Sequence, residues 1–333
     1  MGSRGPGMDR DKGAGFGVTQ QRVAFIFPGQ GAQYVGMGRE LAEAYPVVAE
    51  TLREAEAALG EPLTDVMFHG PAERLKQTYY TQPAILSLSV AIARLATSVV
   101  HPCAVAGHSL GEYSALVAAG CLSLKDAVCA VRLRARFMEE AVPPGTGIMA
   151  AVLGLEAQQV EEICQAAGGL GIVEPATYNG GKQVVVAGTL EGVETATRLA
   201  LEAGARRVQP LNVSGPFHSS LLEPAGKRLR DVLQKIRMRQ CEIPVYCNAY
   251  AAAVRNPDEI VEVLVKQVSS PVRWEETIRA MRADGVTAFV ELGPGRVLSG
   301  LVRRIDPDVE VLNVEDPASW SKFVAWAEGN DVI

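Results

Sequence analysis

The chain has 333 residues, 48% of them apolar and 21% charged, a balance that belongs to a folded globular protein and excludes extensive disorder. Its 32 lysines and arginines stand against 38 aspartates and glutamates for a net charge of −6, so the basic footprint of a nucleic-acid binder is missing. No run of about 18 apolar residues offers a membrane span.

Residues 1–21 are rich in glycine and charge and lack an apolar centre, so they read as a disordered leader rather than a signal peptide. Arg22 to Phe27 is an apolar strand stopped by Pro28-Gly29. A helical pattern runs from Gly38 to Leu59 and a second from Gln82 to Ala96. Cys103 to Ala106 is another buried strand, followed by Gly107-His108-Ser109-Leu110-Gly111 and a helix to Ala119. This alternation predicts an α/β fold on a parallel sheet. From about 145 to 212 the predicted order changes to β-α-β-β-α-β, with Asn179-Gly180-Gly181 as a hairpin turn, which is the ferredoxin-like arrangement. Pro143-Pro144-Gly145 and Ser214-Gly215-Pro216 bracket it as an insert. The large α/β unit then spans 22–144 plus 213–316, with a strand at Ala288 to Leu292 and a helix from Arg296 to Arg304, and 317–333 form a C-terminal helix or tail.

The six cysteines form no C-x-x-C pair and several sit in apolar surroundings, which predicts free thiols and a cytoplasmic protein. The four histidines pair with no cysteine at ligand spacing, so no metal is expected.

Gly107-His108-Ser109-Leu110-Gly111 fits G-x-S-x-G between a strand and a helix. A sharp turn there exposes the serine hydroxyl, and the helix behind points its positive end at it. The plainer alternative is a glycine-rich turn in which Ser109 caps the following helix. Of His69, His101, His108 and His218, only His218 lies after Ser109, the chain order expected of a base, although a surface-loop histidine has the same spacing. No clear aspartate precedes it: Asp126 looks like a cap partner of Ser123. His218 is therefore expected to be oriented by something other than a carboxylate, such as a backbone carbonyl.

On the helix predicted from Ser123 to Val142, Ala127, Val131, Arg134 and Met138 share one apolar stripe flanked by Ala130 and Phe137. Arg132 and Arg136 point away and are expected in solvent. A buried Arg134 needs an anion, either an internal glutamate or a substrate carboxylate held in a bidentate pair.

Five segments in order then carry a family resemblance: Phe27-Pro28-Gly29-Gln30-Gly31-Ala32-Gln33, Gly107 to Tyr113, Asn212 to Ser219, Gln267 to Trp274 and Glu291 to Gly295. Together they resemble malonyl-CoA:acyl-carrier-protein transacylases over residues 22 to 315. The resemblance implies an α/β-hydrolase-like domain with a ferredoxin-like insert. It implies Ser109 as acylated nucleophile, His218 as base, and Gln267 as the residue whose backbone carbonyl holds the base. Gln30 and Leu110 would supply the oxyanion-hole N–H groups. Arg134 falls where the family has its carboxylate-binding arginine, and Phe217 beside the base and Met138 on the Arg134 stripe are further substrate-binding candidates. Many bacterial members have Pro-Ser-His at the base where this chain has Pro-Phe217-His218, a variant that resembles other malonyl-specific members. The implied partners are malonyl-CoA and acyl carrier protein, with coenzyme A entering as a thioester substrate and no cofactor, in fatty-acid or polyketide synthesis. A serine hydrolase of the same fold and a non-catalytic carrier-binding module are the alternatives.

Overall fold

The computed structural model describes residues 21–143, 145–213, 215–330 and 332. The expected leader lies outside them except for Gln21, as do the linker residues Pro144 and Ser214.

Among the described residues the strands form two sheets. The larger contains β1 (Val23–Phe27), β2 (Ala104–Gly107), β7 (Val245–Tyr246), β8 (Ala253–Val254), β9 (Ala288–Leu292) and β10 (Glu310–Val314), in the order β10-β9-β1-β2-β7-β8. All neighbours pair in parallel except β7 with β8. β1, β2 and β9 are buried along their whole length, as expected of strands covered on both faces. Phe25, Phe27, Val105 and Val290 face one apolar cluster, and Ala24, Ile26, Ala104, Ala106 and Phe289 face another.

The second sheet contains β3 (Gly147–Leu153), β4 (Val173–Tyr178), β5 (Gln183–Thr189) and β6 (Arg207–Pro210), in the order β4-β5-β3-β6 and antiparallel throughout. Helices Ala157–Ala167 and Leu190–Glu202 follow β3 and β5, and their apolar sides share a core with the sheet. This is the predicted β-α-β-β-α-β unit. Gly180, Gly181 and Lys182 take positive φ between β4 and β5, where the turn was expected. The small sheet meets the segment before the helix Trp274–Ala283 through backbone bonds between β4 and Val272: Tyr178 N–H donates to Val272 O (2.8 Å) and Val272 N–H to Ala176 O (2.9 Å).

The structure corrects several expectations. The helical pattern from Gly38 to Leu59 divides into Arg39–Ala44 and Pro46–Leu59, because Pro46 fits only the first turn of a helix. The last strand of the β-α-β-β-α-β unit, whose predicted bounds reach about 212, stops at Pro210. Cys121 and Cys241 are joined as a disulfide, their Cα atoms 4.6 Å apart, so two of the six cysteines are not free thiols. Glu242 N–H donates to Ala119 O and Arg239 N–H to Cys121 O, both at 2.9 Å, and this pairing of two distant segments brings the sulfurs together. Cys103, Cys129, Cys164 and Cys247 remain free.

Candidate active site

The site is built at the C-terminal ends of β1 and β2, which run in parallel with Phe27 beside Gly107. His108 N–H donates to Phe27 O (3.0 Å), so the loop after β1 and the turn after β2 leave the sheet side by side. The turn must be tight. A Cβ on Gly107 would stand 1.9 Å from Gly111 C, and one on Gly111 would stand 2.1 Å from Phe27 O. Between them Ser109 takes φ 52°, a conformation that favours glycine and that a serine holds only where its surroundings enforce it. Asn248, just past β7, does this: its Oδ1 accepts the Ser109 N–H and its Nδ2 donates to Gly107 O, both at 2.6 Å.

His218 is 4% exposed and also left-handed, at φ 61°. Its Nε2 lies 2.6 Å from Ser109 Oγ, and its Nδ1 lies 2.9 Å from Gln267 O and 3.2 Å from Ser270 O. Both Nδ1 partners are carbonyl oxygens, so Nδ1 carries the proton and Nε2 offers its lone pair to the serine. Two backbone carbonyls thus take the place of the missing aspartate. Burial, then the nearby Arg134 charge, push the imidazole down to about 3 against the pull of these bonds, with His108 a smaller depressing influence. The resting base is neutral at pH 7.

Arg134 is 1% exposed and lies on the helix Leu124–Ala141, whose N-cap Ser123 accepts from Asp126 N–H as expected. Its Nη1 donates to Gln82 Oε1 (3.0 Å), and its Nη2 to Gln267 Oε1 (3.0 Å) and Ser109 Oγ (3.4 Å). All three acceptors are neutral. Among the described residues no carboxylate lies within salt-bridge distance of it, and its Nε has no partner. The nearest acid in the network is Glu112, 1% exposed. Glu112 Oε2 accepts from Asn248 N–H (2.9 Å) and Gln267 Nε2 (3.0 Å), and burial raises its carboxyl to about 7 despite these bonds and the Arg134 charge. Arg132, expected in solvent, is 8% exposed: it pairs with Glu61 and lies over the Tyr79 ring at 3.8 Å. The helix packs between neighbours on more than its apolar stripe, which periodicity does not reveal.

A cavity of about 290 Å³ opens above Ser109 and His218. Gln30, His108 and Phe217 line it from the large unit, and Met149, Asn179 and Val185 from the small one. The Ser109 N–H is taken by Asn248, whereas no backbone acceptor is found among the described residues for the N–H of Gln30 or of Leu110. Leu110 is the N-cap of the helix Gly111–Ala118, so its N–H belongs to the electropositive end. Met138 is brought elsewhere: it is buried behind Gln82, whose Nε2 lies 3.9 Å from its sulfur, and it does not line the cavity.

Sequence reasoning missed Asn248, Gln82, the Gln267 side chain, and Asn179, whose Oδ1 lies 2.9 Å from His108 Nε2. Glu112 falls inside the segment Gly107 to Tyr113, and no role was expected of it. A carboxylate inside the apolar run Leu110 to Ala119 was a usable signal for Glu112. Nothing in the spacing marks Asn248.

A serine on a strand–turn–helix elbow, a carbonyl-held histidine and the uncommitted N–H groups of Gln30 and Leu110 define an enzyme site for acyl transfer through a covalent serine ester. The comparisons agree: the acyl transferase domain model matches residues 24–313, and the chain belongs to that family. The malonyl CoA-acyl carrier protein transacylase of Bacillus subtilis is 46% identical over 298 residues, 89% of this chain and 94% of that protein. A crystal structure of acyl-carrier-protein S-malonyltransferase from Burkholderia pseudomallei superposes with a TM-score of 0.89 at 45% identity, over 92% of this chain and 100% of that one. A malonyl-transacylase solved in complex with a type II polyketide synthase acyl-carrier protein gives 0.90 at 42% identity, over 92% and 99%.

Proposed function

We propose that this protein transfers the malonyl group from malonyl-CoA to the phosphopantetheine thiol of acyl carrier protein, in two half-reactions through a malonyl ester of Ser109. The observation that carries it is Arg134, a buried cation with only neutral acceptors, 3.4 Å from the hydroxyl that would carry the acyl group. A buried guanidinium calls for an anion, and a malonyl group on Ser109 brings a carboxylate to it. The names of the relatives support the same substrate and carrier.

Ser109 Oγ attacks the thioester carbonyl while His218 Nε2 takes its proton. The carbonyl oxygen becomes an oxyanion held by the N–H groups of Gln30 and Leu110, each donor contributing about 3 kcal/mol. The tetrahedral intermediate collapses, the C–S bond breaks and coenzyme A leaves with the proton. The carrier thiol repeats the sequence in reverse. Phe217 walls the cavity beside the base, while Arg134, which stands behind the lining 3.4 Å from Ser109 Oγ, fixes the far end of the acyl chain. Nothing in this sequence needs a metal or prosthetic group. Fatty-acid chain elongation is the proposed destination of the malonyl group. The free thiols of Cys103, Cys129, Cys164 and Cys247 support a cytoplasmic location, with the Cys121–Cys241 disulfide the one feature that pulls the other way.

The test is mass spectrometry after incubation with malonyl-CoA. One malonyl mass should appear on Ser109, be absent from Ser109→Ala, and disappear when carrier protein is added. A malonylated Ser109→Ala protein would overturn the assignment, and loss of the adduct to water as fast as to carrier would make the protein a hydrolase. The complex with a polyketide carrier supports a second reading of the destination, which discharge onto fatty-acid and polyketide carriers side by side separates.

A further inference from the structure

Arg134 Nη2 and His218 Nε2 both lie within reach of one atom, Ser109 Oγ, at 3.4 and 2.6 Å. A base and an unbalanced cation therefore flank the nucleophile from two sides in a buried site. A cation held there opposes the imidazolium that must form each time His218 accepts a proton. The resting site is thus adverse to its own proton transfer, since a base of low basicity takes a proton poorly. The groups around His218 are few. Arg134 faces it from the helix Leu124–Ala141 and His108 from the elbow. Glu112 and Tyr113 of the elbow helix act on Arg134 from behind. Gln267, Ser270 and Phe217 are uncharged.

We infer that the malonyl carboxylate activates the base that transfers it: by pairing with Arg134 it cancels the charge facing His218, so malonyl-Ser109 is discharged by a more basic imidazole than acetyl-Ser109 is. Resting on the malonyl-transfer reading above, this makes Arg134 a specificity-determining residue twice, by binding the carboxylate and by withholding full base strength from acyl groups that lack one. The discharge step is the same for both groups. The incoming thiol gives its proton to His218 Nε2, its sulfur bonds to the ester carbonyl, and the C–Oγ bond breaks as His218 returns the proton to Ser109. Only the basicity of His218 differs.

The experiment loads wild-type enzyme with malonyl or acetyl groups from the two acyl-CoAs and follows single-turnover discharge onto pantetheine from about pH 2.5 to 8. A parallel titration reads the ¹⁵N shifts of labelled His218 in each adduct. The acid limb and the His218 titration of the malonyl adduct should lie about one pH unit or more above those of the acetyl adduct. In Arg134→Ala, with Arg134→Met as a second variant, the His218 titration of the acetyl adduct should rise to that of the wild-type malonyl adduct, since the opposing cation is gone. Coincident His218 titrations in the two wild-type adducts overturn the inference, and that comparison needs no variant to fold. A limb that moves with Glu112→Gln while His218 titrates identically in both adducts belongs to Glu112 and also overturns it. If no malonyl adduct forms on Ser109, the transfer reading fails and takes the inference with it; if the adduct forms and is discharged with coincident titrations, the inference fails alone.

Discussion

Gln267 serves the site with both its main chain and its side chain. Its carbonyl oxygen orients His218, while its side chain accepts from Arg134 and donates to Ser109 O (2.8 Å) and Glu112. The resemblance found in the sequence implied the first role only. Gln267→Ala keeps the carbonyl and removes the rest, leaving a buried guanidinium short of an acceptor. We expect a stability loss of about 1–3 kcal/mol in chemical denaturation and a fall in malonyl transfer that exceeds the fall in acetyl transfer. Equal losses for the two groups would show that the side chain does nothing for Arg134. Arg134→Ala removes a charge-assisted pair worth about 1.5–3 kcal/mol to the malonyl group, so its kcat/KM should drop roughly tenfold or more while acetyl transfer is unchanged or rises. An unchanged malonyl-to-acetyl ratio with a lowered melting temperature would reduce Arg134 to a structural residue. At this scale the sequence disclosed Ser109, His218 and Arg134 because each has a rare setting: an elbow motif, a unique chain order, a charge on an apolar stripe. Asn248 has none of these. Its importance comes from where β7 ends in space, and a two-residue strand leaves too little pattern to place it.

The element that tolerates least change is the turn between β2 and its helix. Gly107 and Gly111 touch backbone on the side where a Cβ would point, so no side-chain rotation relieves a substitution there. Gly107→Ala should lower stability by about 3 kcal/mol and lose malonyl adduct formation more completely than the stability loss accounts for, since the strand and helix must part to admit the methyl group. Adduct yield and denaturant midpoint, measured together, check this; an alanine variant with normal acylation would mean that the turn is softer than its contacts imply. The hairpin between β4 and β5 also reaches this turn, through Asn179 and His108. Asn179→Ala should leave the small sheet folded while slowing both half-reactions, and circular dichroism with stopped-flow acylation separates the two effects. The insert and the elbow were legible because glycine turns and apolar runs punctuate them. The burial of Arg132 was not, since it depends on what packs against its helix from elsewhere in the chain, whereas the break at Pro46 follows from a local rule of proline geometry.

For the whole molecule, the buried histidines set the response to acid. His218 is held down to about 3 and His108 is also lowered, mainly by burial. Below pH 6.5 the unfolded chain binds protons that the folded site refuses, so stability is lost as pH falls from about 6.5 towards 3, by roughly 3 kcal/mol from His218 alone at pH 4. Glu112, raised to about 7, works the other way: the folded carboxyl keeps its proton where the unfolded one has lost it, and its contribution fades as pH rises from 4.5 towards 7. His218→Gln should therefore flatten the acid side of a melting-temperature profile. A profile as steep as that of the wild type would mean that other groups govern acid unfolding.

The machinery is also spread along the chain in an order with its own consequence. Ser109 is synthesised long before His218 and Gln267, which lie 109 and 158 residues further on. At about 5–20 residues per second the nascent chain carries its serine for roughly 10–30 seconds before the last part of the site leaves the ribosome. For the first 109 of those residues the chain holds no His218, and until the last of them it holds no Gln267 to orient the base and fix the guanidinium. The nucleophile is dormant by birth order, and a half-made chain cannot drain acyl groups from the thioester pool into water.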